Sequence, residues 1–188
     1  MKAFIFSNCK KSDCHTYTLN LRRQVPRNAF LVNLNRGNVY YQIPAFKDYP
    51  NQTFICRQYF TYGIDGYFGL DSICSYSAVR HYDKIYLFNP DAASGKTAKI
   101  IIGYRDGHVE NKVIDTPWME EYFKKTGGKI STTGYAAYYL IQQLLDIKPE
   151  DITLVNFYGN NDSSTFKYVG HNWDFEDEWM QDKKRIFI

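Results

Sequence analysis

Short apolar runs bounded by turn residues recur along the chain: AFIFS at 3–7, AFLVNL at 29–34, KIYLFNP at 84–90, KIIIGY at 99–104, ITLVNFY at 152–158 and KRIFI at 184–188. Runs of this length read as buried strands. The RDGH turn after the fourth run predicts a hairpin partner over 109–114. Between the last strands the period changes to a helical one. TPWMEEYFKKTGG has Thr116 at the N-cap, Pro117 at the first helical position, acidic residues early, lysines late and Gly127 beyond the end. From Tyr135 to Leu145 a stripe of Tyr138, Ile141, Leu144 and Leu145 predicts a helix packed on the sheet, and Asp174 to Met180 predicts a short one. From Asn35 to Val79 the pattern is irregular, rich in Tyr and Phe and broken by Pro44, Pro50 and several Gly. Loops with short helices are expected there, one of them near Leu70 to Val79. The alternation predicts an α/β domain with a largely parallel central sheet flanked by helices. No repeat, linker or low-complexity segment divides residues 1–188 into more than one domain.

Composition narrows the class. With 188 residues, 44% of them apolar, the chain can bury one full core without disulfides or metal. A net charge of +3, from 23 basic and 20 acidic side chains dispersed along the chain, argues against a nucleic-acid partner. The outlying number is the 18% aromatic share, with 17 Tyr, which suits either half-buried strands or a cleft that handles sugars or bases. Cys9, Cys14, Cys56 and Cys74 form neither a CxxC pair nor a zinc-spaced set with histidine, so reduced thiols are expected. The start MKAFIFSNCKK lacks the outline of a signal peptide, and no apolar stretch is long enough to cross a bilayer. A cytoplasmic protein is expected, with the apolar end RIFI leaving peripheral membrane association open.

The candidate chemistry lies between Ser131 and Glu176. A Ser/Thr/Gly turn, Thr132, Thr133 and Gly134, opens a helix whose first amides have no intrahelical acceptors and point at any anion placed there; the same turn can equally be a plain cap. The next strand delivers Tyr158 to its carboxyl end, and GHNWDFE then brings His171 and Glu176. Asn8, Asn33 and Asn89 end three other strands, as turn formers or as polar groups converging on the edge where open α/β sheets bind ligands.

With these residues in place, the chain resembles the bacterial sialyltransferases that decorate lipooligosaccharide and, more distantly, the animal sialyltransferases. That family has a Gly-Asn-Gly turn after its first strand, an asparagine after an apolar triplet, Tyr-Asn-Pro, Thr-Ser-Gly opening a helix, Asp-Phe-Tyr ending a strand, and Gly-His-Ser. The corresponding stations here, in the same order, are Ser7-Asn8, Leu31-Val32-Asn33, Phe88-Asn89-Pro90, Thr132-Thr133-Gly134, Asn156-Phe157-Tyr158 and Gly170-His171-Asn172. The spacing from His171 to Glu176 matches the last short motif of the animal family. Departures are the replacement of Gly-Asn-Gly by Ser7-Asn8-Cys9, a longer segment between Asn33 and Asn89, and a much shorter one between Tyr158 and His171. A second phosphate-contacting tyrosine of the family's lid has Tyr168 as its nearest counterpart.

The resemblance implies a Rossmann-like fold of the sialyltransferase, GT-A-variant kind and a CMP-sugar donor. It implies inverting transfer to a glycan hydroxyl without metal or other cofactor, in bacterial lipooligosaccharide or capsule synthesis. His171 would be the general base. Tyr158, with Asn8 and Asn33, would contact the phosphate, and Tyr168 would assist. Thr132, Thr133 and Gly134 would hold the nucleotide or the donor carboxylate, with Asn89 also on the donor. The competing readings are a transferase for another CMP-activated acid sugar and a non-catalytic nucleotide- or sugar-binding protein. A homo-oligomer is compatible with either.

Overall fold

The computed structural model describes residues 1–7, 14–34, 49–57, 83–90, 94–104, 106, 108–159 and 170–188. These form one eight-stranded sheet with four α-helices among the described residues: β1 (Ala3–Phe6), α1 (Cys14–Gln24), β2 (Phe30–Leu34), β3 (Asn51–Arg57), β4 (Lys84–Pro90), β5 (Thr97–Tyr104), β6 (Val109–Asp115), α2 (Pro117–Thr126), α3 (Thr133–Leu145), β7 (Ile152–Val155), α4 (Trp173–Met180) and β8 (Arg185–Ile186). The strand order is β6-β5-β4-β3-β2-β1-β7-β8. Six strands run parallel, and the β5–β6 hairpin adds an antiparallel pair at one edge. Every residue of β1 and of β7 is buried, as an apolar run covered on both faces requires. The edge strand β6 is instead exposed at five of its seven positions and carries Glu110 paired to Lys112 at 2.9 Å, charges that discourage further strand pairing.

Several expectations need correction. The segment taken for loops contains β3, which starts immediately after Pro50, where the missing N–H costs the ladder nothing. Its pattern is disguised by two buried polar residues. Gln52 donates to the Tyr49 carbonyl at 2.8 Å and the Thr53 hydroxyl to the Lys84 carbonyl at 2.8 Å. The helix expected near Leu70 to Val79 lies outside the described residues. Helix α1 was not expected at all, because its buried stripe is narrow: Tyr17 and Leu21, continued by Val25 just past its end, while Leu19 is exposed. Strand β7 stops at Val155 rather than Tyr158, since Asn156 turns left-handed at φ 59°. Strand β8 is only two residues long.

The sheet separates two apolar layers. On one face α1 packs Tyr17 and Leu21, with Val25, against Phe4, Phe6, Leu31 and Val155. On the other, α2, α3 and α4 cover Ile5, Val32, Leu34, Ile55, Phe88, Ile100 and Leu154. Burying each such side chain stabilises the fold by roughly 1.5–3 kcal/mol. Among the described aromatic residues, some lie on strands, as Phe4, Phe6, Tyr86 and Phe88 do, and a dense group lies in this helical layer. Tyr135 meets Tyr122, Tyr139, Phe175 and Trp179 at ring separations of 4.9, 5.0, 6.1 and 4.8 Å, and Trp118 stacks on Tyr139 at 5.3 Å. Helix α2 has Pro117 and the left-handed Gly127 where expected. The Thr116 hydroxyl, however, donates to the Gly95 carbonyl at 2.7 Å and makes no cap bond.

The chain leaves β1 for α1 on one face and leaves β7 for α4 on the other. The carboxyl ends of these adjacent strands therefore form a topological switch point, the place where open α/β sheets take ligands.

Candidate functional site

Helix α3 leads back into β7, so its first turn lies at the carboxyl edge of the sheet. Thr132 is its N-cap, with the hydroxyl accepting from the Tyr135 amide at 3.2 Å. The same residue is engaged from outside the helix. Its amide donates to Glu176 Oε1 at 2.7 Å and its hydroxyl to Glu176 Oε2 at 2.5 Å, while the Tyr122 hydroxyl donates to Oε1 at 3.0 Å. A carboxylate of the protein itself thus sits at the helix start, where the macrodipole favours an anion. Gly134 has a packing reason of its own: a Cβ there would lie 2.5 Å from the Phe157 ring and 3.6 Å from Leu34. Thr133 is buried beside it.

His171 belongs to the same junction. The Ile130 amide donates to the Gly170 carbonyl at 3.0 Å, and His171 Nδ1 lies 2.6 Å from the Ile130 carbonyl. A carbonyl only accepts, so Nδ1 carries the proton and the neutral ring has its lone pair on Nε2. Trp173 meets the imidazole edge-on at 5.5 Å. Asn172 caps α4 by accepting from the Phe175 amide at 3.1 Å, and its own amide donates to the Tyr122 hydroxyl at 3.2 Å. Tyr122 is the residue of this junction that sequence reasoning missed. Nothing in a buried helical tyrosine marks it as a bridge. Deeper in the cluster Tyr135 is held protonated, chiefly by burial, then by its neighbour Tyr139 and the charges of Glu121 and Glu176.

A second group lies across the switch point. Leu31 packs with α1 and Val32 and Leu34 with the opposite layer, so Asn33 faces α1, with Phe6 and Phe54 at its level in the neighbouring strands. Asn33 is 0% exposed, and neither its carboxamide oxygen nor its nitrogen has a hydrogen-bond partner. Asn156, just past β7, accepts from the Ile188 amide at 2.9 Å and from the Tyr158 hydroxyl at 3.4 Å, but its buried Nδ2 is unpartnered. Tyr158 is half-buried, its ring 5.0 Å from Phe187. Asn156 was read only as part of a motif; an asparagine directly after an apolar strand is the available signal for its left-handed backbone.

The predicted residues do not converge on one point. Thr132, Thr133, Gly134 and His171 gather on the α3–α4 side. Asn33 is buried facing the α1 side, and Asn156 with Tyr158 follows the end of β7. Asn89 is exposed, still within the β4 ladder opposite Lys99. It sits two strand steps and four residues from the level of Asn33, about 16 Å away at ordinary sheet spacings. Asn8 and Tyr168 lie outside the described residues.

Among the described residues, no group of three or more His, Cys, Asp or Glu is placed to hold a metal ion, and no helix is long and apolar enough to cross a membrane. The fold and this edge define an α/β protein with a doubly wound, mostly parallel sheet and its candidate site at the switch point. No protein-family model matches the chain, and no curated protein or solved structure was found similar to it.

Proposed function

We propose that this chain is a glycosyltransferase on a Rossmann-like scaffold, moving sialic acid or a related acid sugar from a CMP-activated donor to a glycan hydroxyl at the cytoplasmic side of the cell. The observation that carries this reading is the unpartnered carboxamide of Asn33 at the switch-point edge: a buried hydrogen-bonding group left unpaired costs about 1–3 kcal/mol, and a bound donor would recover it. The Nδ1–H tautomer of His171 gives further support, since it puts the basic lone pair of the neutral ring on Nε2. In the step proposed, the bond between the anomeric carbon and the phosphate oxygen breaks and CMP leaves with the electron pair. The acceptor oxygen attacks from the opposite face as His171 Nε2 takes its proton. Tyr158, Asn33 and Asn156 are the described donors for charge developing on the phosphate. Glu176 engages Thr132, so the donor's anionic group is left to the first-turn amides of Thr133 and Gly134.

A second reading, a nucleotide- or sugar-binding protein without transfer, is favoured by that same occupation of the α3 start by Glu176. Thermal shift separates the nucleotide classes. CMP should raise Tm in the presence of a chelator, whereas a strict magnesium requirement or a preference for UDP would reject the CMP reading. Transfer assays then separate enzyme from binder. His171→Ala should lower turnover by roughly 10²-fold or more with CMP affinity nearly unchanged, and the wild-type rate should rise with pH as imidazolium loses its proton. A CMP-stabilised protein that transfers to no acceptor supports the second reading.

A further inference from the structure

We propose that Glu176 is the positioning residue for His171, setting the tautomer of its ring through the junction of α2, α3 and α4. The inference rests on the reading of His171 as a base only where turnover is concerned; the tautomer stands on geometry alone.

Whether Nδ1 reaches the Ile130 carbonyl depends on how the segment 130–132 is placed against 170–172. One backbone bond, from the Ile130 amide to the Gly170 carbonyl at 3.0 Å, joins them ahead of the ring. Beyond the ring, the Glu176 carboxylate bridges the same two segments. It takes the Thr132 amide and hydroxyl on the one side, and it is carried one turn into α4 on the other. Tyr122 ties the same carboxylate to the start of α4, because its single hydroxyl donates to Glu176 and accepts from the Asn172 amide. Glu176 is 4% exposed, so the bonds from Thr132 and Tyr122 are held without competition from water. With the clamp closed, His171 meets the carbonyl at 2.6 Å and the neutral ring is the Nδ1–H form. With it open, the segments lose that bridge, and the approach of Nδ1 to the Ile130 carbonyl is held less firmly.

The test is nitrogen-15 spectroscopy of the imidazoles in the full chain, which has four histidines, with His171→Gln used for assignment. Wild type should show His171 as a single Nδ1–H tautomer at a pH where it is neutral. Glu176→Gln should preserve it, since the amide oxygen still accepts from Thr132 and Tyr122 and the new NH2 faces the Thr132 hydroxyl. Glu176→Ala should give a tautomer mixture. Tyr122→Phe, which keeps the buried ring and so the fold, should shift the ratio in the same direction by less. If Glu176→Ala does not fold, Tyr122→Phe decides. An Nε2–H ring in wild type overturns the proposal, as does an unchanged ratio in a folded Glu176→Ala or, where that variant does not fold, in Tyr122→Phe. Where wild type transfers sugar, Glu176→Ala should lose about tenfold or more in kcat with donor KM nearly unchanged, within the roughly 10²-fold worth of a positioned base. Absence of transfer in wild type counts against the proposed function, and the tautomer spectra still decide the role of Glu176.

Discussion

At the scale of single residues, two positions carry opposite expectations. Asn33 is buried with both ends of its carboxamide unpartnered, so Asn33→Leu, which roughly conserves volume, should raise unfolding free energy by about 1 kcal/mol. The same change should abolish or weaken stabilisation by CMP. Urea unfolding with and without nucleotide measures both, and a loss of stability in the free protein would mean that the carboxamide is satisfied after all. Gly134→Ala should destabilise by roughly 1–3 kcal/mol, because the added methyl meets the Phe157 ring at 2.5 Å inside a packed layer. Adding Phe157→Leu should recover part of that loss; an innocuous Gly134→Ala would show that the ring has room to move. These positions also mark the limit of what the sequence tells. Asn33, Gly134 and His171 stand out as residue types at strand and helix ends. Glu176 could be noted only for its distance from His171, since the first turn it grips lies 44 residues away in the chain. A long-range carboxylate that fills a helix start leaves no local trace.

At the scale of elements, the strands with continuous apolar runs and the helices with wide stripes were legible, and the departures share a cause. Strand β3 hides behind buried Gln52 and Thr53, whose partners come from Tyr49 and from a neighbouring strand. Helix α1 hides because CHTYTLNLRRQ presents little apolar surface beyond Tyr17 and Leu21. That narrow docking makes a sharp prediction. Leu21 is fully buried, so Leu21→Ala should cost about 2–5 kcal/mol, while Leu19→Ala on the exposed side should stay within about 0.5 kcal/mol. Denaturant midpoints for the two variants check it. Equal effects would mean that the helix does not seat its Leu21 face on Phe4, Phe6 and Leu31.

At the scale of the whole molecule, the class was legible and the strand order was not. Parallel strands read alike whichever neighbour they take, and the long return from the β5–β6 hairpin to β7 beside β1 is a tertiary choice. That return creates the switch point, and it stacks α2, α3 and α4 into a layer rich in buried phenols. The layer predicts alkaline sensitivity. Burial, with like charges nearby, raises Tyr86 and Tyr138 from 10.0 to about 12, and burial drives Tyr135 upward as well. Below 10 these groups are protonated in both the folded and the unfolded chain, and their contribution to stability is complete. As pH rises from 10 towards 12, the unfolded chain releases phenolic protons that the folded one retains, so the balance moves towards unfolding and this contribution is lost. Tyr104, raised by its hydrogen bond to Glu110, is solvated and adds little. The urea midpoint should therefore fall steadily through that window, with tyrosinate absorbance appearing in step with loss of the fold. Replacing Tyr138 by Phe should make the fall shallower. A midpoint that stays level from 10 to 12 would mean that water reaches these rings in the folded protein and that the helical layer is looser than its packing indicates.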